Sequence, residues 1–206
     1  MPSRNILRQN APESYYHVYA RGGSKQNIFL DDKDHRYFIG LLERYLSADK
    51  HTSKSGLTYP NFHDQIKLLC YCQMTNHFHL LLYQKEAGNM SLLMRSIMVS
   101  YTRYFNIRHK RTGPLFESRF KASRIDQDAY MGHISRYIHL NPRYWRTYEH
   151  SSINQYSSAK DDTVDWLDTS VVLENFKDRQ DYLNFLKDYE SQKQMIDEIK
   201  YELADQ

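Results

Sequence analysis

The sequence predicts an α+β fold: a central antiparallel β-sheet flanked by α-helices. Three observations carry this. Residues 15–20, 66–73 and 77–83 are short runs of strand-forming residues bounded by turn signals. Two longer stretches, after Asp31 and after Ser91, repeat apolar residues at helical spacing. Only Met74-Thr75-Asn76 separates the second strand from the third, so the two form a hairpin and run antiparallel.

Each element follows in order. Residues 15–20 form a first strand, closed by a turn at Gly22-Gly23. Asp31 or Asp32 caps a helix whose stripe is Tyr37, Phe38, Leu41, Leu42 and Tyr45. Polar residues 49–56 are a loop, and the hairpin of 66–73 and 77–83 comes next. Gly88-Asn89 breaks the chain before a long helix over 91–109, with Leu93, Ile97, Tyr101 and Phe105 on one stripe. Thr112-Gly113-Pro114 stops it. Residues 115–125 read as extended, with Phe116 and Phe120 alternating with Arg119 and Lys121. Asp126 caps a further helix that ends near Asn141, because Pro142 disfavours helical geometry in the residue before it. On this helix His133, Tyr137 and Asn141 share one stripe; Tyr130, Ile134 and Ile138 form the adjoining stripe, expected to be the core face; His139 falls on the opposite side from Tyr137. Beyond Ser151 the sequence is mixed, with a last helix expected over 182–201.

At 206 residues the chain is long enough to bury a core without disulfide or metal staples. Its two cysteines, Cys70 and Cys72, sit at a spacing poor for a mutual disulfide. No apolar run is long enough to span a membrane, and none follows Met1-Pro2-Ser3-Arg4-Asn5, so the expectation is a cytoplasmic protein without a signal peptide or membrane partner. The net charge of +3 is unevenly placed. Arg103, Arg108, Lys110, Arg111, Arg119, Lys121 and Arg124 make a basic run, whereas acids dominate after Ser158. A basic run of this kind is either a solvated face or a nucleic-acid contact.

The segment Asn76-His77-Phe78-His79-Leu80-Leu81-Leu82 carries the most chemistry. Strand alternation points His77 and His79 to one face and Phe78, Leu80 and Leu82 to the other. The strand thus buries one side and presents two imidazoles on the other. By itself this is either a metal site on a rigid element or a pair of hydrogen-bonded strand residues.

His77-Phe78-His79, the downstream Arg136-Tyr137-Ile138-His139-Leu140-Asn141-Pro142, and the connecting Gly113-Pro114-Leu115-Phe116-Glu117-Ser118-Arg119-Phe120-Lys121 together resemble the HUH single-tyrosine transposases. They resemble most the REP-associated tyrosine transposases within the IS200-like family. The resemblance runs from about Tyr15 to Tyr156. It implies an HUH endonuclease fold with a ferredoxin- or RRM-like palm, a catalytic domain over 1–157, and a C-terminal helical extension over 158–206 packed on or trailing it. It implies that Tyr137 is the nucleophile and that His77, His79 and Asn141 hold a divalent cation, Mg²⁺ or Mn²⁺. His133 is a possible helper of Tyr137. The implied activity is single-stranded DNA cleavage and strand transfer next to DNA hairpins, through a 5′-phosphotyrosine intermediate. A bacterial protein, monomer or homodimer, associated with the nucleoid when bound, goes with it. Arg21, Arg119, Lys121 and Arg124 are the expected DNA contacts. Phe116 and Phe120 either stack unpaired bases or are buried by the same alternation. A hairpin-binding protein with little cleavage is the alternative function. The chain departs from the family's usual pattern at Thr75, often a proline, and at Arg143-Tyr144-Trp145-Arg146, where small and apolar residues are usual.

Overall fold

A computed structural model of the protein describes residues 10–125, 129–158 and 164–188. The expected cap Asp126 and most of the last expected helix lie outside them. Four strands, β1 (Ser14–Arg21), β2 (Ile66–Met74), β3 (His77–Gln84) and β4 (Lys121–Ile125), form one antiparallel sheet in the order β2-β3-β1-β4. Among the described residues six α-helices accompany it: α1 (Asp32–Leu46), α2 (Asn89–Arg108), α3 (Ala129–His139), α4 (Ile153–Ser157), α5 (Ser170–Leu173) and α6 (Arg179–Lys187). The α+β fold is as expected, with β1 placed between two strands made much later in the sequence.

The sheet separates two cores. On one face Tyr16, Val18, Phe78, Leu80 and Leu82 meet Phe38, Leu41 and Leu42 of α1 and Leu93, Ile97, Tyr101 and Phe105 of α2. Burying each such side chain contributes roughly 1.5–3 kcal/mol. Tyr101 is fully buried, packs edge-on to Phe38, and donates its hydroxyl proton to the Ile28 carbonyl. Asp31 caps α1 by accepting from the Lys33 and Asp34 amides. Arg108 and His109, at the end of α2, pair with the buried Asp34 and so tie the two helices together. Gly88 precedes α2 with φ 101°, a left-handed conformation that only glycine adopts without strain.

On the other face Leu69, Cys70, Cys72 and Leu81 meet α3, and side chains of α4–α6 complete this second core, Tyr156 of α4 reaching the Leu69 carbonyl of β2. A bulge between Leu68 and Cys70 turns Leu69 and Cys70 to this same side. The helix α3 is therefore buried nearly all round, and the single apolar stripe expected for it understates its packing. Ile134 and Ile138 are buried as expected, but Tyr130 is exposed. His139 is buried in a polar cluster that reaches back to β2, because Ser152 Oγ also bonds the Tyr71 backbone. His139 Nδ1 lies 2.6 Å from the Tyr182 hydroxyl of α6, and its Nε2 lies 2.8 Å from Ser152 Oγ. The Tyr182 hydroxyl also donates to Ser135 Oγ at 3.1 Å.

Burial holds the His139 imidazole down at about 3, and burial foremost holds His35 at about 4. Below pH 6.5 the unfolded chain takes up protons at these positions that the folded chain refuses. Stability contributed by their neutral forms is complete above pH 6.5 and is lost as pH falls toward 4. The unfolding free energy should drop by about 1.4 kcal/mol per pH unit for each such imidazole in that window. Urea denaturation at stepped pH measures it, and a flat profile between pH 6.5 and 5 would contradict it.

Candidate active site

The site is built on the two central strands. In their antiparallel register Tyr19 stands opposite His79, and Arg21 opposite His77. Alternation puts His17, Tyr19 and Arg21 of β1 on the same face as His77 and His79 of β3. This is the face α3 covers.

The turn before His77 is held from several sides. The Thr75 carbonyl accepts from the Ile28 and Phe29 amides at 2.8 and 3.0 Å, and the Asn76 carbonyl accepts from the Gly22 amide at 2.8 Å. Gly22 has no room for a side chain: a Cβ there would lie 2.2 Å from the Gln26 carbonyl oxygen. The chain leaving β1 thereby fixes the start of β3, and His77 is pinned with it.

His77 Nδ1 lies 2.6 Å from Asn76 Oδ1. Asn76 Oδ1 can only accept, so Nδ1 carries the proton and the lone pair of a neutral His77 sits on Nε2, the nitrogen suited to a metal. His79 Nδ1 lies 2.8 Å from Nε2 of His17, and the two rings stack at 11° with centroids 5.0 Å apart. The His77 and His79 rings are 4.9 Å apart. Burial first, then the neighbouring charges of His17, His77 and Arg21, pushes His79 well below the usual histidine range. Burial lowers His17 to about 3. Both rings are thus neutral at ordinary pH, the form in which an imidazole binds a metal.

Tyr137 on α3 closes the cluster. Its ring meets His79 edge-on at 5.4 Å and His17 edge-on at 5.7 Å. Asn141 lies one turn further on, just past the end of α3, and its amide nitrogen donates to the Tyr137 carbonyl at 3.1 Å. That leaves its carboxamide oxygen as the atom suited to a hard cation. Among the described residues no three of His, Cys, Asp and Glu gather to hold a metal ion. The expected donor set has two imidazoles and an amide, and its chemistry fits a divalent cation that keeps open positions.

Other expected residues are placed differently. His133 accepts at Nδ1 from the buried Arg136 at 2.9 Å, and its ring lies 5.2 Å from Phe185 of α6. With Nδ1 accepting, a neutral His133 carries its proton on Nε2 and is a poor base for Tyr137. Burial and the Arg136 charge further lower its basicity. The expected helper role therefore finds no support in these contacts. Alternation on β4 splits the basic residues. Lys121, paired with Tyr19, shares the histidine face, whereas Arg124, paired with Tyr16, is exposed on the opposite one. Lys121 also lies 5.6 Å from the centre of the Tyr19 ring. Arg119 is exposed. Phe116 and Phe120 belong to the first core, so burial, not base stacking, accounts for their alternation. Only 121–125 of the expected extended run is a strand; before it, Phe116 bridges to Gly22.

His17 and Asn76 were not expected in the site. His17 left a weak signal, a polar residue on the same strand face as Tyr15 and Tyr19, but its meeting with His79 depends on β1 lying beside β3.

Comparison with known proteins places the fold and the family. The family model described as IS200-like transposase matches residues 13–141, from β1 to Asn141. A second model, the six-helix bundle of protein phosphatase 1 regulatory subunit 21, matches residues 116–200, a minority of the chain that includes strand β4. No curated protein matches. A solved structure of a REP-associated tyrosine transposase bound to a REP hairpin is similar with a TM-score of 0.53 at 15% identity, over 79% of this chain and 90% of that one. That likeness is one of fold, and the family match spans well over half of the sequence: the chain belongs to the IS200-like transposase family.

Proposed function

We propose that the protein is a divalent-cation-dependent endonuclease and strand transferase for single-stranded DNA, acting next to DNA hairpins. The observation that carries this reading is the packing of the Tyr137 ring against the His79–His17 pair, beside a His77 whose ring is oriented by Asn76.

In this reading His77 and His79, through Nε2, and Asn141, through Oδ1, hold Mg²⁺ or Mn²⁺. The cation supplies Lewis-acid polarisation of the scissile phosphate and offsets charge as it builds. The Tyr137 hydroxyl attacks the phosphorus and gives up its proton. The bond from phosphorus to the 3′ oxygen breaks, and that oxygen leaves as a free 3′-OH. A 5′-phosphotyrosine remains, and attack by another 3′-OH reverses the step, so the bond energy is conserved and no nucleotide cofactor is needed. Arg21, across from His77, and Lys121, on the same face, steer backbone phosphates toward the cluster. Arg119 and Arg124 contact DNA only where it extends past the sheet. The structural neighbour is bound to a REP hairpin, which supports a hairpin partner here. Among the described residues no helix is long and apolar enough to cross a membrane.

The test uses a panel of hairpin oligonucleotides with single-stranded flanks, incubated with the protein and Mg²⁺ or Mn²⁺. A denaturant-resistant protein–DNA adduct that a chelator prevents is the expected result. Tight hairpin binding with neither adduct nor cleavage under either metal would instead make the protein a hairpin-binding module.

A further inference from the structure

A histidine that ligates through one ring nitrogen carries its proton on the other, and that N–H needs an acceptor. For His77 the acceptor is the Asn76 side-chain oxygen. For His79 the neighbour of Nδ1 is not a carbonyl or carboxylate but a second imidazole, His17. Such a bond holds one proton and can run in either direction. Run from His17 to His79, it leaves the His79 proton on Nε2 and removes His79 from the donor set. Run from His79 to His17, it frees the His79 Nε2 lone pair and places the His17 proton on Nδ1.

The second arrangement leaves a proton on His17 Nδ1 that needs an acceptor of its own. His17 Nδ1 is buried without a hydrogen-bond partner, and so is the hydroxyl of Ser123. The two residues are direct cross-strand partners on β1 and β4, and their side chains share the histidine face. The strand beside His17 thus supplies the kind of acceptor its Nδ1–H needs. His17 is also wholly buried, stacked on His79 and edge-on to Tyr137, so its ring has little freedom to turn.

We infer that His17 is a positioning residue: its Nε2 accepts the Nδ1 proton of His79, sets that ring's tautomer, and aims Nε2 of His79 at the cation. This rests on the reading of His77 and His79 as cation ligands. It adds a residue outside the His-x-His motif, with Ser123 completing a row from β4 through β1 to β3.

Two measurements on the intact protein test it. Long-range proton–nitrogen NMR of the metal-free protein reads the His79 tautomer directly. The expected state is Nδ1–H, changing to Nε2–H in His17→Phe and kept in His17→Gln, whose side-chain oxygen can accept in place of the imidazole. Mn²⁺ titration followed by electron paramagnetic resonance, without DNA, should show affinity reduced about 10–100-fold in His17→Phe and largely restored in His17→Gln. A wild-type His79 in the Nε2–H form, or His17→Phe binding Mn²⁺ like the wild type, overturns the inference while leaving the cation site standing. Equal loss in both variants, with hairpin binding lost too, reduces His17 to a packing residue. Failure of the wild type to bind Mn²⁺ at all overturns the cation site itself.

Discussion

Replacing Tyr137 by phenylalanine is expected to lower strand cleavage about 10³-fold or more and to leave hairpin binding within about twofold. The substitution removes one oxygen and keeps the ring. The edge-on contacts of that ring with His79 and His17, at 5.4 and 5.7 Å, survive it. Tyr137 is 8% exposed, so a smaller residue would leave a cavity beside the histidines, which phenylalanine does not. The assay is adduct formation on a hairpin oligonucleotide, with binding followed separately by fluorescence anisotropy. An adduct that persists in Tyr137→Phe would place the nucleophile elsewhere; Tyr19, on the same sheet face opposite His79, is the first alternative to map by mass spectrometry.

The second large effect concerns stability. Tyr182→Ala is expected to cost about 4–6 kcal/mol, from the cavity left by a buried aromatic and from hydrogen bonds left unmade. Tyr182 is fully buried beside Tyr156 and Phe176, and its hydroxyl serves both His139 and Ser135 of α3. Removing it leaves two buried polar groups of α3 short of a partner and loosens α6, whose Phe185 stacks under Arg136. A loss of this size is a large part of the 5–15 kcal/mol that ordinarily holds a domain together. Tyr182→Phe keeps the packing and should cost only about 1–2 kcal/mol. Urea unfolding separates the two. A loss below about 1 kcal/mol for the alanine variant would mean that α6 unfolds apart from the rest.

These two residues also mark what the sequence makes legible. Tyr137, one of 18 tyrosines, stands out through the family resemblance that it carries together with Asn141 and the upstream His-x-His. The strands, the α1 and α2 stripes and the cap at Asp31 are local patterns, and they fold as their residues dictate. Tyr182 and His139 do not stand out, because their meeting depends on the C-terminal segment folding back over α3. The same holds for His17. A single histidine on an amphipathic strand gains meaning only when the sheet order 2-3-1-4 sets it beside His79. Phe116 and Phe120 were legible as alternating with charges, but which side of that alternation would face the core was decided by packing against α2 and Phe78. The missed contacts are long-range ones, and the misjudged stripe on α3 reflects a helix packed on two sides.

The central position of β1 has a consequence for how the chain is made. The strand carrying His17 leaves the ribosome first, yet both its edges stay unpaired until β3 and then β4 have followed. The helix bearing Tyr137 comes after all of them. At about 5–20 residues per second, the ~120 residues between His17 and Tyr137 take roughly 6–24 s to synthesise. Through that interval the nascent chain holds the imidazoles without Tyr137, the nucleophile proposed above. On the proposed mechanism the protein thus becomes chemically competent only after its sheet is complete, and no interrupted translation product ending before α3 carries the full reactive set.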